Sequence, residues 1–228
     1  MYGIKGLLIC WKIKRIIVID GGPRKNANTA ALIEKFTEGV KSKDETIEVK
    51  HIRLYDIDYH GCRSCLACKL KKSKSPTVCS FKDGITPVLQ ECQEADGLVF
   101  ASPIYFGDVT AQLHAFMERL FFPWFSYDNN GVMTPKRRPT AVIYTMNSSK
   151  EQRYKIGTAI DRFNGFIEAF LQKPESVEAY NTVQVKNYDM YAMTLSNPAF
   201  RHAYREEYWA EDLQKAFEAG VQMVAEIR

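Results

Sequence analysis

The chain has 228 residues, of which 46% are hydrophobic and 12% aromatic, so it is long enough for one α/β domain with a sizeable core and an added segment. Its formal net charge of +4 is mildly basic and does not by itself indicate a nucleic-acid-binding protein. No apolar run approaches the ~20 residues of a membrane-spanning helix, and residues 1–11 lack the charged start and cleavage site of a signal peptide.

Predicted strands and helices alternate from residue 14 onward. Apolar and β-branched runs predict strands at residues 14–20, 46–54, 97–102, 140–146 and 176–185. Apolar residues at helical spacing predict helices at residues 28–40, 85–94, 109–122, 150–171 and 199–227. This alternation implies right-handed crossovers and a parallel sheet. We therefore predict an α/β three-layer sandwich over residues 14–228, with five parallel strands in the order 2-1-3-4-5, helices on both faces, and residues 1–13 as an N-terminal extension.

The first predicted strand ends in a glycine turn that leads directly into a helix. Its sequence is IIVIDGGPRKNANT, at residues 16–29, and Asn28 or Thr29 is predicted to cap the helix. Unpaired N–H groups and the positive dipole at a helix N-terminus can hold a phosphate, and Arg24 and Lys25 add positive charge. On composition alone, an ordinary βα turn with a solvated basic pair is equally compatible. Neither G-x-x-x-x-G-K-[ST] nor G-x-G-x-x-G is present.

The third predicted strand leads into a second loop, SPIYFG, at residues 102–107. The carboxyl ends of parallel strands share one edge of a sheet, so this loop should lie beside the glycine turn. Pro103 stiffens the exit from the strand, and Gly107 lets the next helix begin close to a ligand. The residues between them, 104–106, offer apolar and aromatic surface that suits a flat ring system. Taken alone, these aromatic residues are better explained by packing into the core than by ligand binding.

A long loop, residues 55–82, contains a local cluster of cysteines. They are Cys62, Cys65, Cys68 and Cys79. The first three form C-x-x-C-x-x-C, and ten residues separate Cys68 from Cys79. Four thiolates are the usual ligands of an iron–sulfur cluster and also of structural zinc, and free thiols are the third possibility. Local clustering argues against a disulfide framework and for a reducing cytoplasm. Asp83, just after the loop, is predicted to cap the following helix.

These loops together resemble the flavodoxin-like NADPH-dependent FMN reductase family, including its iron–sulfur flavoprotein branch. The family's first loop reads G-S-P-R-x-x-S-N-T, and here Gly22 and Ala27 replace the two serines. Its second loop reads S-P-[IV]-Y-[WFY]-G and is followed by a helix ending in D-R, where this chain has Glu118 and Arg119. The resemblance implies a flavodoxin-like fold and an FMN-dependent oxidoreductase or electron-transfer flavoprotein, with NAD(P)H as a possible co-substrate.

The resemblance also implies which residues bind the cofactors. The phosphate of FMN would lie on the first loop, the ring on the second, and a further contact would follow the fourth strand. The implied FMN-binding residues are Gly22, Arg24, Asn26, Asn28, Thr29, Pro103, Ile104, Tyr105, Phe106, Gly107, Thr145, Met146 and Asn147. The implied ligands of a [4Fe–4S] cluster are Cys62, Cys65, Cys68 and Cys79. The spacer before Cys79 is longer than in the family, so it either loops out or marks loss of the cluster.

Three functional hypotheses follow. The first is an electron-transfer flavoprotein in which FMN exchanges electrons with a cluster, and the second is a cluster-free NAD(P)H-dependent FMN or quinone reductase. The third, a zinc-binding basic module that contacts nucleic acid, is least favoured because it leaves the two ligand loops unexplained. We expect a cytoplasmic homodimer or tetramer that uses the aromatic segment 199–228 as an interface and meets a small redox partner or NAD(P)H. No catalytic acid or base is predicted, because hydride transfer to or from a flavin depends on stacking geometry.

Overall fold

The computed structural model describes residues 13–73, 76–128, 131–134, 136–193 and 196–227. The predicted N-terminal extension lies outside these ranges, apart from its last residue. Among the residues described, no helix combines the length and apolarity needed to cross a bilayer.

Five parallel strands form one sheet. The strands are β1 (Arg15–Asp20), β2 (Glu48–Arg53), β3 (Gly97–Pro103), β4 (Thr140–Thr145) and β5 (Glu175–Ala179). The α-helices are α1 (Asn28–Lys43), α2 (Thr86–Glu94), α3 (Ala111–Phe121), α4 (Arg153–Phe170) and α5 (Pro198–Glu226). The strand order is β2-β1-β3-β4-β5, which confirms the predicted fold class and topology. Because all pairings are parallel, the carboxyl ends of the strands share one edge.

Helices cover the sheet from both sides, so its central strands are buried on both faces. Successive residues of a strand point to opposite faces. In β1, Ile17 and Ile19 pack into one core, which includes residues of α2, α3 and α4. Ile16 and Val18 pack into the other core, which includes residues of α1 and α5. This double burial explains why β1 is a continuous β-branched run and not an alternating one.

The fifth strand is shorter than predicted. It ends at Ala179, whereas the sequence suggested a strand to residue 185. Asn181 adopts a left-handed backbone with φ of 48°, which turns the chain out of the sheet. The Asn181 N–H then donates to the Ser148 carbonyl over 3.0 Å, and the Thr182 N–H to the Met146 carbonyl over 3.0 Å. Residues 180–184 therefore pack against the loop that follows β4.

Helices α1 and α5 approach each other so closely that their backbones touch. A Cβ added to Gly39 of α1 would lie 2.0 Å from the Phe217 carbonyl oxygen of α5. A Cβ added to Gly220 of α5 would lie 2.1 Å from the Phe36 carbonyl oxygen. Both distances are far below van der Waals contact, so the two glycines set the separation of the helices. This packing fixes the position of α5, whose N-terminal half reaches the candidate site described below.

We expect Gly220→Ala to lower the free energy of unfolding by about 1–3 kcal/mol, because the added methyl group has no space against the α1 backbone. The matched control is Gly165→Ala in α4, where an added Cβ meets nothing within 4 Å. Alanine there should stabilise the helix by roughly 0.5–1 kcal/mol. Thermal and urea unfolding measure both changes. A Gly220→Ala variant as stable as the control would contradict the close packing of α1 and α5.

Candidate functional site

A cavity of about 100 Å³ opens at the carboxyl edge of the sheet; we refer to it as the edge cavity. All the predicted FMN-binding residues except Asn26, Phe106 and Gly107 line it, together with Pro23, Ala27, Thr182 and Gln184. The structure therefore brings together the loops that follow β1, β3 and β4. The segment after β5 forms a fourth wall of the edge cavity, which was not predicted from the sequence. Asn26 is exposed and lines a neighbouring groove.

The glycine turn after β1 is fixed by its contact with the start of α3. The Gly21 N–H donates to the Ala101 carbonyl over 2.8 Å, and the Thr110 hydroxyl donates to the Gly21 carbonyl over 2.8 Å. A Cβ on Gly21 would lie 2.8 Å from the Thr110 hydroxyl oxygen and 2.9 Å from Leu113 Cβ. Only glycine therefore allows this approach. The same hydroxyl accepts from the Leu113 N–H over 3.3 Å and so caps α3.

A buried carboxylate, that of Asp20, organises the glycine turn, in which Gly22 stands where the family usually has a serine. Asp20 is 1% exposed, and its Oδ1 accepts a 2.7 Å hydrogen bond from the Gly22 N–H. A Cβ on Gly22 would lie 2.9 Å from that same oxygen. The other carboxylate oxygen is 3.0 Å from His51 Nε2 and 3.9 Å from Arg53 Nη1. Glycine at position 22 thus leaves space for the Asp20 carboxylate.

The prediction that Asn28 or Thr29 caps α1 is wrong. The residue before the helix is Ala27, and no described side chain makes a capping hydrogen bond there. Asn28 instead donates to the Val183 carbonyl over 2.9 Å and accepts from Arg205 over 2.9 Å. The Thr29 hydroxyl lies 2.8 Å from the Thr145 hydroxyl, within hydrogen-bond distance, and both residues line the edge cavity. Both side chains join the walls of the cavity and leave the helix start to the backbone.

The first turn of α1 remains suited to an anion. The first N–H groups of a helix have no partner within the helix, and this turn contains no acidic residue. Arg24 lines the edge cavity beside it, and its guanidinium donates to the Gln184 carbonyl.

Helix α5 contacts the segments that follow β4 and β5. Arg201 of α5 donates to the Asn147 carbonyl over 2.6 Å and to Asn181 over 2.9 Å. Helix α5 therefore holds two walls of the cavity in place.

A tight hairpin lies beside the edge cavity. Tyr105 and Asp108 exchange backbone hydrogen bonds of 2.8 and 3.1 Å. Phe106 has φ of 52° and Gly107 has φ of 87°, the pattern of a type I′ turn. A left-handed backbone is unfavourable for an aromatic residue, and the Phe106 side chain is fully exposed.

The edge cavity is small for a ligand site. Because its volume of about 100 Å³ is below the roughly 300–1,000 Å³ of typical ligand pockets, a flavin-sized ligand would extend from the cavity.

The four cysteines of the loop at residues 55–82 line a second, smaller cavity, the cysteine cavity. Ser64 and Leu66 have left-handed backbones, with φ of 52° and 57°, so the C-x-x-C-x-x-C segment coils tightly. The Ser64 N–H donates to Cys62 Sγ over 3.4 Å. Within the described ranges, no three His, Cys, Asp or Glu side chains are already arranged as metal ligands. The structure therefore brings the cysteines to one cavity without assembling a ligand set.

One arginine contacts this loop from α3. The Arg119 side chain is 1% exposed, and its Nε donates to Cys79 Sγ over 2.9 Å. It also pairs with Asp83 at 2.8 Å. Ile85, and not the predicted Asp83, directly precedes α2; the Asp83 carboxylate pairs with Arg119 and also accepts a hydrogen bond from the Ile85 backbone N–H. The sequence marked Arg119 only as part of a helix-end motif, with no partner assigned.

Comparison with known proteins agrees with this geometry. Residues 14–156, more than half of the chain, match the family model described as NADPH-dependent FMN reductase. The chain belongs to this family. The predicted family resemblance is therefore confirmed. As a member of the FMN reductase family, it carries the family's glycine turn and second loop in the walls of one cavity.

Curated relatives of this FMN reductase family member match nearly half of the chain. An iron-sulfur flavoprotein of Methanocaldococcus jannaschii is 35% identical over 105 residues, covering 46% of this chain and 51% of that protein. An iron-sulfur flavoprotein of Archaeoglobus fulgidus is 38% identical over 105 residues, covering 46% of this chain and 48% of that protein. The matched part of the chain thus spans about half the length of these relatives.

A solved structure supports the fold of this family member. An FMN-dependent NADH-azoreductase of Bacillus anthracis, in complex with FMN, superposes with a TM-score of 0.66 at 12% identity. The match covers 92% of this chain and 100% of that one. At such low identity the likeness shows the fold alone. Together with the observed strand order, it confirms the flavodoxin-like architecture.

Burial controls the chemistry of the cysteine thiols. It raises the pKa of Cys68, and the nearby Lys69 ammonium offsets only part of that rise. Complete burial raises the pKa of Cys92, in α2, much further. Lys69 itself donates to the Pro123 and Phe125 carbonyls, and burial lowers its pKa. Its ammonium is thus held by backbone oxygens at the side of the cysteine cavity.

Among the cysteines within the described ranges, we expect pulse alkylation of metal-free protein to label Cys65 fastest, because its side chain is exposed. The buried Cys68 and Cys92 should react slowly, and their raised pKa values leave little thiolate at neutral pH. Raising the pH should speed labelling of Cys68 before that of Cys92. Site-resolved mass spectrometry after pulses at neutral and alkaline pH gives the rates. Equal labelling of Cys65 and Cys92 would contradict the burial described above.

Proposed function

We propose that this protein binds FMN in the edge cavity and acts as an FMN-dependent oxidoreductase. The observation that carries the proposal is the convergence of the loops after β1, β3 and β4 on one cavity. Membership of the NADPH-dependent FMN reductase family supports the same chemistry. The residues present fit a ligand with an anionic end and a flat ring. FMN, when bound, would accept electrons in pairs and release them singly.

The backbone and one arginine would hold the phosphate. The side chains of Asn28 and Thr29 already join the cavity walls, so the N–H groups of the first turn of α1 are the main donors. Arg24 would add a charged donor by exchanging its Gln184 carbonyl partner for the phosphate. Ile104, Tyr105 and Met146 would face the ring, and the exposed Phe106 and Gly107 hairpin would border it.

We also propose that Cys62, Cys65, Cys68 and Cys79 hold a [4Fe–4S] cluster. Support comes from their shared cavity and from hydrogen-bond donors directed at two of the sulfur atoms. It also comes from relatives named iron-sulfur flavoproteins. Such a cluster would exchange single electrons with FMN. The reductant would be NAD(P)H or a small redox partner.

Residues 14–228 would form one domain. The protein would work in the cytoplasm as a homodimer or tetramer.

A cluster-free NAD(P)H-dependent FMN or quinone reductase is the second candidate. The observation that favours it is the arrangement of the thiols, since no metal-ligating group is formed among the described residues. Cys79 also has a protein partner of its own in Arg119. A zinc-binding nucleic-acid module is not supported, because it gives the edge cavity no role.

A visible absorption spectrum with iron analysis, on protein purified without oxygen, tests both proposals. Flavin bands over a broad brown absorbance, with about four irons per chain, would establish FMN and the cluster. Flavin bands without iron would favour the second candidate, and NAD(P)H-driven reduction of quinones or free flavin would then be assayed. A colourless protein that does not take up FMN would reject the FMN proposal.

We expect Arg24→Ala to weaken FMN binding about tenfold, because it removes a charged donor to the phosphate. Lys25→Ala is the matched control, since Lys25 is the adjacent cation but lies outside the edge cavity, 3.8 Å from Asp56. It should change the dissociation constant by less than about threefold. Flavin fluorescence titration measures both. Equal losses in the two variants would show a nonspecific charge effect.

We expect Cys79→Ala to lower the iron content per chain to a small fraction of the wild-type value and to leave FMN content unchanged. The reason is that a cubane cluster needs four ligands, whereas Cys79 does not line the edge cavity. Cys92→Ala provides the control, because Cys92 is a buried thiol of α2 outside the cysteine cavity. Iron and flavin are assayed on the same samples. Iron retained by Cys79→Ala would remove Cys79 from the ligand set.

A further inference from the structure

We infer that Arg119 is the positioning residue of the cysteine loop, holding the Cys79 sulfur at the cysteine cavity. The inference deepens the proposed function and rests on it for the cluster, although the contacts themselves do not. It bears on one departure of this chain from its family, the long spacer before Cys79. A spacer of that length leaves the fourth thiol free to take many positions unless another contact fixes it.

All five N–H donors of the Arg119 guanidinium are used. Nε donates to Cys79 Sγ over 2.9 Å. Nη1 donates to Asp83 Oδ2 over 2.8 Å and to the His60 carbonyl over 3.0 Å. Nη2 donates to the Phe81 carbonyl over 2.9 Å and to Asp83 Oδ1 over 3.1 Å. One planar group therefore ties together the segment before the first cysteine, the fourth cysteine and the segment after it.

The preceding residue fixes the other end of the loop. Glu118 Oε2 accepts a 2.9 Å hydrogen bond from the Cys62 N–H. A Cβ on Gly61 would lie 2.6 Å from the same carboxylate oxygen, so glycine lets the loop pass close to α3. Consecutive residues of one helix thus hold the first and the fourth cysteine. The chain between Cys62 and Cys79 can vary in length while its two ends stay together.

The chemistry of the contact suits a metal-ligating sulfur. A charged N–H donor stabilises negative charge on sulfur, and donors of this kind outside the metal's own ligands orient ligands and tune clusters. Asp83 balances the charge of the buried guanidinium, which allows it to remain in the interior. Lysine has neither the planar fork nor the number of donors to reproduce these contacts.

The test compares Arg119→Lys with wild type in the full chain, as purified without oxygen and again after iron removal by a chelator. In the iron-free protein we expect the alkylation rate of Cys79 to rise about tenfold or more, because the contact that holds its sulfur is lost while lysine keeps a positive charge nearby. The rate at Cys92 should not change. In the anaerobically purified protein, iron per chain should fall by at least about half, with FMN content retained.

The matched control is Arg138→Lys. Arg138 is a second buried arginine, 2% exposed, whose guanidinium donates to the Gln93 carbonyl and lies over the Trp124 ring. It controls for the cost of placing lysine at a buried arginine position, and it should leave Cys79 labelling unchanged. The fully buried Cys92 reports general loosening, because a globally destabilised variant would expose it together with Cys79.

Each outcome decides the inference. Faster labelling confined to Cys79, with iron lost from Arg119→Lys alone, would support it. Three results would overturn it: an unchanged labelling rate at Cys79, parallel increases at Cys79 and Cys92, or an Arg119→Lys protein that contains as much iron as an iron-containing wild type. Wild-type protein without iron would reject the cluster proposal separately. In that case the labelling comparison still decides whether Arg119 positions Cys79.

Discussion

The contact between the Gly21 backbone and Thr110 determines where α3 begins, and α3 connects the two candidate sites. At its start, the helix lies against the glycine turn and follows the second ligand loop. At its other end, Glu118 and Arg119 hold the cysteine loop. The helix has 11 residues, so at 1.5 Å per residue it spans about 16 Å. A change that displaced α3 would therefore disturb both cavities together.

The walls of the edge cavity are held together by side chains that the sequence suggested as ligand contacts. Asn28 binds the segment after β5, Thr29 binds Thr145 of β4, and Arg24 binds Gln184. These contacts satisfy polar groups that would otherwise be costly to bury. They also mean that the proposed recognition of a phosphate would depend on backbone donors more than in a loop with two serine hydroxyls. Gly22 and Ala27 supply no hydroxyl groups, which is consistent with a site in which backbone N–H groups would be the main donors to a phosphate.

The sequence was sufficient for the fold and for which loops lie together at one edge of the sheet, but not for the partners of individual side chains. The uninterrupted β-branched run in β1 is typical of a strand covered on both faces, and the alternation of strands and helices led to the correct strand order. The end of β5 was missed because residues 180–184 still look like a strand, and a single left-handed residue, Asn181, ends it. Arg119 lies 40 residues from Cys79 in the chain, a separation over which local patterns carry no information.

The cysteine loop depends on electrostatics, whereas the sheet depends on apolar packing. Burial opposes ionisation of Asp83, but the hydrogen bonds and charge of Arg119 outweigh it and lower the pKa of that carboxyl. A lowered folded-state pKa means that the pair contributes stability at neutral pH, above the ordinary pKa of the carboxyl. That contribution is lost as the pH falls through the lowered value. Acid should therefore weaken the hold of Arg119 on the cysteine loop, because protonation of Asp83 removes the charge that balances the guanidinium.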